Sequence, residues 1–402
     1  MSGPLTGYKI IDLTSMVSGP LGTMILADQG ADVIKIENPK GGDYTRVVSN
    51  RSGGLSASFL NNNRNKKSIA LNLKDTRGIE ILKGLLEDAD VFIQNFRPGV
   101  IERMGLGEDV IRSIVPDIIY VSISGFGNEG PYAHKPVYDP LVQALSGLTT
   151  IQGGGDDVRP RLVRTILPDK LTGYTSAQAI TAALLSRERT GEGQHIRLSM
   201  LDTVVSFLWA SDMSSQTFVG QEIAQEKAQS FIDLIYETKD GFISVAVQSN
   251  KEWLGLTRAL EKPEWLEDER FKSSTLRHHN INDRLAMTQE VLMTKTAEEW
   301  LERLSAEDVP CAPVLRRSEV IDHPQIIANE ILEEHIHPEA GTLRQARGAA
   351  RFSATPSTQR YGAPLLGQHS LEELKKTGLS DQGMEQLISD GVIGVPEQER
   401  TS

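Results

Sequence analysis

The sequence is poor in cysteine and in long apolar stretches. Its one cysteine, Cys311, excludes an intrachain disulfide and favours a reducing compartment. The apolar run VPCAPV around Cys311 is typical of an inert, packed thiol. The start, MSGPLTGYKI, lacks the basic segment and apolar core of a signal peptide, and no uncharged apolar stretch is long enough to cross a bilayer. We therefore expect a soluble cytoplasmic protein.

Positive charge is scarce as well. Lys and Arg number 42 against 54 Asp and Glu, and the net charge of −12 argues against a protein that coats nucleic acid or an anionic membrane. A few local cations are still enough to bind a small anion. The 402 residues, of which 39% are hydrophobic, suffice for two or three packed domains at about 150 residues each.

Several motifs of common enzyme classes are missing. The first loop, TSMVSGPLG, contains only Gly19 and Gly22 and not the G-x-G-x-x-G of dinucleotide binding, so we interpret Glu37 as a solvated residue at a strand end. Neither G-x-S-x-G nor H-E-x-x-H occurs. The one histidine cluster, HIHPE at 335–339, is typical of surface or packing, and we expect no metal site.

Strand and helix patterns alternate over the first half of the chain. The strand patterns lie at 8–13, 31–37, 67–73, 90–96, 118–127 and directly after Gln194. This alternation predicts a Rossmann-like α/β domain, in which helices cover both faces of a parallel sheet. Ligands of such sheets bind at the carboxyl ends of the strands, so we place the candidate site in the loops at 14–20, 95–99 and 124–139.

The pattern changes from Phe231 onwards. The stretch FIDLIYETKDGFISVAV predicts a β-hairpin that turns at Asp240-Gly241, and charged helices follow it. Segment 337–367 is predicted to be mostly loop and 371–393 an amphipathic helical region. We expect four parts, which are a large α/β domain over 1–200, a linker over 201–230, a smaller α+β domain over 231–332 and a return segment over 333–402 that completes the large domain.

Cations group beside three of the sheet-end loops. They are Arg64, Lys66, Lys67, Lys74, Arg97, Arg103 and Lys135. Such clusters in an acidic protein indicate a polyphosphate ligand. A solvated strand face flanked by charges is the alternative for the first four.

One carboxylate, Asp169, stands between Pro168 and a run of small uncharged residues in LPDKLTGYTSAQAITAALL. An aspartate at the start of a helix is either a cap, whose oxygens accept first-turn N–H groups, or a nucleophile held at the electropositive end. The small residues that follow, among them Gly173, Ser176 and Ala177, either admit a bulky substrate or serve close helix packing. The residues alone leave both pairs of interpretations open.

Five segments together resemble the class III coenzyme A transferases of the CaiB/BaiF type, the family of formyl-CoA transferase and carnitine CoA-transferase. In chain order they are DLTSMVSGPLGTMILADQGADVIKIENPKGGDYTR, NRNKKSIALNLK, QNFRPGVIERMGL, SISGFGNEGPYAHKPVYD and LPDKLTGYTSAQAITAALLSRERTGEGQHIRLSMLD. The resemblance continues through DGFISVAVQSNKEW and RFSATP and covers essentially the whole chain. It implies a ring-shaped subunit in an interlocked homodimer, with the active site between the large domain of one subunit and the small domain of the other.

The resemblance implies that Asp169 is the catalytic residue. Its carboxylate would attack an acyl-CoA thioester to give an aspartyl mixed anhydride and CoA thiolate, and an aspartyl-CoA thioester would then pass CoA to an acceptor acid while water is excluded. The implied substrates are an acyl-CoA, with succinyl-CoA as one candidate, and a small carboxylic acid, with no tightly bound cofactor. The implied CoA-contacting positions are Val17, Ser18, Asn38, Leu71, Lys74, Asn95, Phe96, Arg97, Arg103, Lys135 and Tyr138.

Two other functions stay open. The same fold hosts α-methylacyl-CoA racemases, but Tyr138 stands where their histidine base falls, and a neutral tyrosine is a poor base at pH 7. A CoA-binding protein without activity is the second, and the intact Asp169 argues against it.

Val17 and Asn38 replace a Gln and an Arg of formyl-CoA transferase, so the formyl/oxalate pair is not expected. The glycine-run lid of that enzyme would fall at 246–253, which contains no glycine, so another element or a shorter, stiffer loop must exclude water.

Overall fold

The computed structural model describes residues 3–48, 50–213, 216–220 and 233–396. The chain divides into two compact units, one formed by Met1–Ile223 with Glu330–Ser402 and the other by Ala224–Asn329. Residues 214–215 and 221–230 of the predicted linker lie outside the described residues.

The strands are β1 (Lys9–Asp12), β2 (Asp32–Glu37), β3 (Arg51–Ser52), β4 (Leu55–Ser56), β5 (Lys66–Leu71), β6 (Val91–Gln94), β7 (Ile119–Ser124), β8 (His195–Ser199), β9 (Ile235–Glu237), β10 (Phe242–Val245), β11 (Cys311–Pro313), β12 (Leu332–His337), β13 (Gly341–Ala346) and β14 (Ile393–Gly394). The α-helices are α1 (Ser18–Asp28), α2 (Ala57–Asn63), α3 (Thr76–Leu86), α4 (Val100–Arg103), α5 (Glu108–Ile114), α6 (Asp139–Leu145), α7 (Leu148–Gly153), α8 (Leu167–Thr190), α9 (Met200–Trp209), α10 (Asn250–Ala259), α11 (Ser274–His279), α12 (Ile281–Leu292), α13 (Ala297–Ala306), α14 (Pro324–Ala328), α15 (Ser370–Lys376) and α16 (Asp381–Ser389). Short 3₁₀ turns lie at Tyr44–Val47, Pro263–Leu266 and Val320–Asp322.

The large unit is built on a seven-stranded sheet in the order β14-β5-β2-β1-β6-β7-β8. All neighbours are parallel except β14, which pairs antiparallel with β5 at the edge. This is the doubly wound order, in which the chain reverses direction across the sheet between β1 and β6. The predicted parallel sheet is therefore confirmed, and the loops after β1 and β6 lie at the point where such sheets bind ligands.

Side chains on the two faces of the sheet enter separate cores. Ile11, Ile34 and Phe92 pack on one side among residues of α3 and α5. Their neighbours Ile10 and Val33 pack on the other side among residues of α1 and α8. Because both faces are covered, these strands are apolar throughout, and the predicted helices on both faces are confirmed.

Helices α1 and α8 lie close together because small residues face each other. A Cβ added to Gly22 would lie 2.1 Å from the Ser176 hydroxyl oxygen and 2.9 Å from the Gly173 carbonyl oxygen. Gly173, Ser176 and Ala177 are buried in this contact. The small residues after Asp169 thus serve helix packing, which was one of the two interpretations left open by the sequence.

This contact predicts the effect of adding one methyl group. We expect Gly22→Ala to lower the free energy of unfolding by about 1–3 kcal/mol, since the added carbon forces α1 away from α8. Gly84→Ala in α3 is the matched control, because nothing lies within 4 Å of its added carbon. The control should be neutral or stabilising by up to about 1 kcal/mol through helix propensity. Urea unfolding of both variants tests this, and equal stabilities for the two would contradict it.

The smaller unit contains the three-stranded sheet β11-β10-β9 and its own core. Strands β9 and β10 pair antiparallel around Asp240-Gly241, which confirms the predicted hairpin. Trp253, Trp265 and Trp300 are buried in the core. The segment at 246–253 is the capped start of α10, where Ser249 and Glu252 form a capping box.

The return segment differs from the prediction. Strands β12 and β13 pair in register from Leu332↔Ala346 to His337↔Gly341, so a hairpin occupies the beginning of the segment predicted as loop. Its polar residues hide the alternation that marks a strand. His337 is buried, with its Nε2 2.8 Å from the Ala363 carbonyl oxygen. The terminal helical region is two helices, α15 and α16, followed by the edge strand β14.

Candidate active site

Asp169 lies in the first turn of α8, where it is partly buried. The residue before the helix, Ile166, has no side chain that could cap it. The Asp169 carboxylate faces another helix instead and accepts a hydrogen bond from the backbone N–H of Ser18, the first residue of α1. It is therefore not the cap of its own helix.

A second carboxylate, Asp139, holds the start of α8. Its Oδ2 accepts the backbone N–H of Asp169 at 3.2 Å, and its Oδ1 accepts Nε2 of Gln143 at 2.6 Å. Gln143 in turn accepts the backbone N–H of Val163 at 2.9 Å. Asp139 is buried. The sequence gives Asp139 no signal of its own, although this residue directly follows Tyr138 in the segment SISGFGNEGPYAHKPVYD.

Burial and the charge of Asp139 together change the electrostatics of Asp169. Burial, assisted by the nearby charge of Asp139, raises the pKa of Asp169 to about 6, and the Ser18 N–H opposes this rise. Burial also raises the pKa of Asp139. Asp169 is thus a desolvated carboxylate that is mostly ionised at pH 7, a state expected of a functional nucleophile rather than of a solvated cap.

The loop before α1 is held in a strained conformation. Met16 has a φ of 70°, and its N–H donates to Oδ1 of Asp43 at 3.2 Å. Asn95, in the loop after β6, accepts the N–H of Ser15 at 3.0 Å and donates to the Ser15 carbonyl oxygen at 2.8 Å. The predicted ligand Asn95 therefore joins the two loops that meet where the strand order reverses.

Buried ion pairs also hold the loop before α1 in place. Lys35 lies 3.0 Å from Asp43 and donates to the Thr14 carbonyl oxygen at 2.7 Å. Asp12 lies 3.2 Å from Lys66, and all four charged side chains are at most 1% exposed. Burial alone would raise the pKa of Asp12, but the charges of Lys66 and Lys35 and the bonds from two threonines lower it to about 2.

This network corrects the prediction of an anion site in the first basic cluster. Lys66 is paired with Asp12, and Arg64 is paired with Asp28 at 2.6 Å. Lys67 contacts Asp32 and Glu373. These three cations are structural because each neutralises a carboxylate, and Lys74 alone among the four is exposed at the surface.

Glu37 is a second correction. It is 5% exposed rather than solvated, and its carboxylate binds the Arg46 guanidinium through two bonds of 2.7 and 2.8 Å. It also accepts the Ser68 hydroxyl at 2.7 Å. These partners lie 9 and 31 positions from Glu37 and outside its strand, so the strand pattern alone does not show them.

A cleft of about 440 Å³ opens at the carboxyl ends of β1, β2, β5 and β6. Four of the predicted CoA-contacting residues line it, namely Asn38, Leu71, Lys74 and Phe96. Helix α4, which ends at Arg103, contributes Val100 to the wall. The Arg103 side chain is exposed.

The remaining predicted residues lie elsewhere. Val17 and Ser18 are buried at the start of α1, beside Asp169. Tyr138 is 70% exposed immediately before α6, and the exposed Lys135 places its ammonium 3.5 Å from the centre of the Tyr132 ring. Arg97 is exposed and lines a neighbouring cleft. The structure thus groups four of the predicted residues in the first cleft and two at the candidate nucleophile.

Comparison with known proteins decides the family. The profile described as CoA-transferase family III matches residues 5–370. The chain belongs to CoA-transferase family III. It is therefore an enzyme of the CoA-transferase class, with acyl-CoA and carboxylate substrates.

Relatives of this CoA-transferase carry names that specify different acid pairs. It is 35% identical over 398 residues to the human succinyl-CoA:glutarate CoA-transferase, and the match covers 97% of this chain and 90% of the relative. It is 36% identical to the acetyl-CoA:oxalate CoA-transferase of Acetobacter aceti over 91% of this chain and 94% of the relative. It is 33% identical to the formyl-CoA:oxalate CoA-transferase of Streptomyces coelicolor over 97% and 99%.

Solved structures agree with the fold of this CoA-transferase. Rv3272 from Mycobacterium tuberculosis matches with a TM-score of 0.81 and 31% identity, over 92% of this chain and 99% of the other. A CaiB/BaiF family protein from Brucella suis matches with a TM-score of 0.82 and 28% identity, over 94% and 100%. Within the described residues of the transferase, no three His, Cys, Asp or Glu side chains are grouped to hold a metal, and no helix has the length and apolarity to cross a membrane.

Proposed function

We propose that this CoA-transferase moves CoA from an acyl-CoA donor to a carboxylic acid through covalent intermediates on Asp169. The single observation that carries the proposal is the environment of that carboxylate, which is desolvated, adjacent to Asp139 and hydrogen-bonded by the Ser18 N–H. The loop that lines the 440 Å³ cleft with Leu13, Thr14 and Ser15 leads directly to Ser18. One short segment therefore forms part of the wall of the cleft proposed for the CoA thioester and also contacts the nucleophile through Ser18.

The chemistry requires a carboxylate and no other side chain as nucleophile. An oxygen of Asp169 attacks the thioester carbonyl carbon, the C–S bond breaks, and an aspartyl mixed anhydride and CoA thiolate form. The thiolate then attacks the aspartyl carbonyl and releases the donor acid, which leaves an aspartyl-CoA thioester. The acceptor carboxylate attacks the aspartyl carbonyl carbon and expels CoA thiolate, which gives a second mixed anhydride. The thiolate then attacks the acyl carbon of the acceptor, so that the new acyl-CoA forms and the Asp169 carboxylate is released. Each intermediate keeps an activated acyl group, as a thioester or an anhydride, which hydrolysis would convert to a free acid. The mechanism therefore requires that water be excluded.

We propose succinyl-CoA as donor and a short dicarboxylate as acceptor. Glutarate and oxalate appear in the names of the relatives at 33–36% identity. Val17 and Asn38 depart from formyl-CoA transferase at predicted CoA contacts, which favours the succinyl/glutarate pair over the formyl/oxalate pair. We further propose a homodimer with interlocked subunits that works in the cytoplasm without a tightly bound cofactor. Light scattering of the purified protein measures the subunit number.

The test is a matrix of donors and acceptors. Succinyl-CoA, acetyl-CoA and formyl-CoA are each incubated with glutarate or oxalate, and the CoA thioesters are measured by mass spectrometry. We expect glutaryl-CoA from succinyl-CoA and glutarate as the fastest product. If no pair yields a new thioester while deuterium from D₂O enters the α-carbon of a 2-methylacyl-CoA, the transferase proposal is wrong and an isomerase takes its place.

Asp139 contributes to the pH dependence of the first half-reaction, after the larger effect of burial on Asp169. The nucleophile must be ionised, so the rate of anhydride formation should rise with pH through the pKa of Asp169 at about 6. Asp139→Asn removes the like charge that raises this pKa, and we expect the rising limb of the profile to move to lower pH. Single-turnover rates between pH 4.5 and 8 measure it. An unchanged midpoint in the variant would show that Asp139 has only a structural role.

A further inference from the structure

A second cleft of about 550 Å³ contains a serine, a histidine and a glutamate to which the transfer reaction gives no role, namely Ser122, His195 and Glu108. It opens near the carboxyl ends of β6 and β7, and its lining includes Gln94, Arg97, Ser122, Asn128, His195 and Arg197. Neither Asp169 nor Asp139 lines it. Phe96 forms part of the wall of both clefts and separates them.

A chain of four hydrogen bonds runs along this cleft. Its members are Phe96 N–H to Gln94 Oε1 at 2.8 Å, Gln94 Nε2 to Ser122 Oγ at 2.9 Å, Ser122 Oγ to His195 Nε2 at 2.9 Å, and His195 Nδ1 to Glu108 Oε2 at 2.5 Å. A serine, a histidine and a carboxylate are thus aligned in the order found at nucleophilic serine sites.

The donor and acceptor of each hydrogen bond follow from the groups at the two ends of this series, the Phe96 N–H and the Glu108 carboxylate. The backbone N–H of Phe96 can only donate, so the Gln94 oxygen faces it and the Gln94 amide nitrogen donates to Ser122. The Glu108 carboxylate can only accept, so Nδ1 of His195 carries the proton. Nε2 of His195 is left as the acceptor of the Ser122 hydroxyl proton, which is the arrangement that a general base needs.

The surroundings keep the histidine in its basic form and in place. Burial lowers the pKa of His195, against the opposing effect of Glu108. Burial alone would raise the pKa of Glu108, but Arg112 and His195 lower it, so the carboxylate is ionised. The Tyr120 ring, which is 1% exposed, meets the imidazole edge-on at 4.8 Å and fixes its plane.

We propose that Ser122, His195 and Glu108 form a second nucleophilic site, which hydrolyses small carboxylate-bearing esters or thioesters. Ser122 Oγ attacks the acyl carbonyl carbon, its proton passes to His195 Nε2, and that proton leaves with the alcohol or thiol when the C–O or C–S bond breaks. Water then attacks the acyl-serine through the same base and releases the acid. Arg97, which is exposed and lines this cleft, is the group that selects a carboxylate on the acyl chain, since Arg197 is paired with Glu108 at 3.3 Å.

A fluorophosphonate probe tests the nucleophile directly. The probe transfers its phosphonyl group to an activated serine oxygen and expels fluoride. After incubation of the full-length protein, digestion and mass spectrometry should locate the label on Ser122. His195→Gln should slow this labelling by about 100-fold or more through loss of the general base. Ser124→Ala, two residues along the same strand, is the matched control and should label Ser122 at the wild-type rate.

Ester hydrolysis supplies the second readout. We expect the wild-type protein and Asp169→Asn to hydrolyse the mono-4-nitrophenyl ester of glutarate faster than uncharged 4-nitrophenyl butyrate, and Ser122→Ala to lose this activity while keeping CoA transfer. Because Asp169→Asn removes the proposed transferase nucleophile alone, the two activities fail separately. No label on Ser122 in the wild-type protein, or equal labelling in His195→Gln, would overturn the proposal and leave the four hydrogen bonds as a structural link between β6, β7, β8 and α5.

Discussion

We expect replacement of Asp169 by Asn to abolish CoA transfer while the fold and CoA binding survive. The amide keeps the shape of the side chain and still accepts the Ser18 N–H, but it lacks the anionic oxygen that forms the anhydride. We expect a loss of at least about 10⁴-fold in kcat, the size of effect seen when a covalent nucleophile is removed. Tyr138→Phe is the comparison variant, because it removes an exposed hydroxyl beside Asp139, and its effect should be modest.

The same substitution should make the protein more stable at neutral pH. The folded-state pKa of Asp169, about 6, lies above its ordinary value of 3.8. The Asp169 carboxyl therefore binds its proton more tightly in the folded protein than in the unfolded chain. Ionisation of this group lowers the free energy of unfolding, and the loss is complete once the pH is well above 6. We expect Asp169→Asn to exceed the wild-type protein by about 1–3 kcal/mol at pH 7.5 and to lose this advantage below pH 4. Urea unfolding at both pH values measures it, and a less stable variant at pH 7.5 would contradict the assigned environment.

Loss of the Asp12 carboxylate has the largest expected effect on stability. Asp12→Ala leaves the Lys66 ammonium, which is 0% exposed, without its counter-charge and removes the acceptor of the Thr14 N–H at 2.8 Å. Breaking one partner of a buried pair costs about 3–5 kcal/mol. Since the same network supports the loop that leads to Ser18, transfer should also slow.

The matched control lies on the surface. Lys272 and Glu269 form a pair 2.6 Å apart with side chains 44% and 85% exposed, and Glu269→Ala should leave the stability nearly unchanged, because water screens an exposed pair. Joint replacement of Asp12 by Leu and Lys66 by Met should recover part of the loss, because most of the cost comes from an unpaired charge. Equal stabilities for Asp12→Ala and Glu269→Ala would refute the role given to the buried network.

Local patterns carry the parts of the fold that depend on neighbours in sequence. The apolar strands of the sheet, the helices between them and the hairpin at Asp240-Gly241 were all predictable, because each has its own periodicity or turn residues. The hairpin formed by β12 and β13 was not, since polar residues fill both strands. The edge strand β14 contains two residues, which is too short for any periodicity.

The candidate site divides along the same line. Asp169 stands out because a lone carboxylate starts a helix of small residues. Asp139, 30 positions away, is recognised only when the fold brings its carboxylate to the Asp169 N–H. In the sequence, Arg64 and Lys66 fit either an anion site or a solvated strand face, because their partners Asp28 and Asp12 lie on other elements. The pairing of charges on different strands depends on the tertiary fold. The sequence alone therefore does not distinguish a cation that neutralises a buried carboxylate from one that binds a phosphate.

The most direct measurement traps the covalent intermediate. The protein is mixed with succinyl-CoA, quenched with hydroxylamine, digested and analysed by mass spectrometry, because hydroxylamine converts an aspartyl anhydride or aspartyl thioester into a hydroxamate. The proposed mechanism predicts a hydroxamate on Asp169 in the wild-type protein and none in Asp169→Asn. Turnover of succinyl-CoA and glutarate without any modification of Asp169 would contradict it, since transfer would then proceed without a covalent aspartyl intermediate.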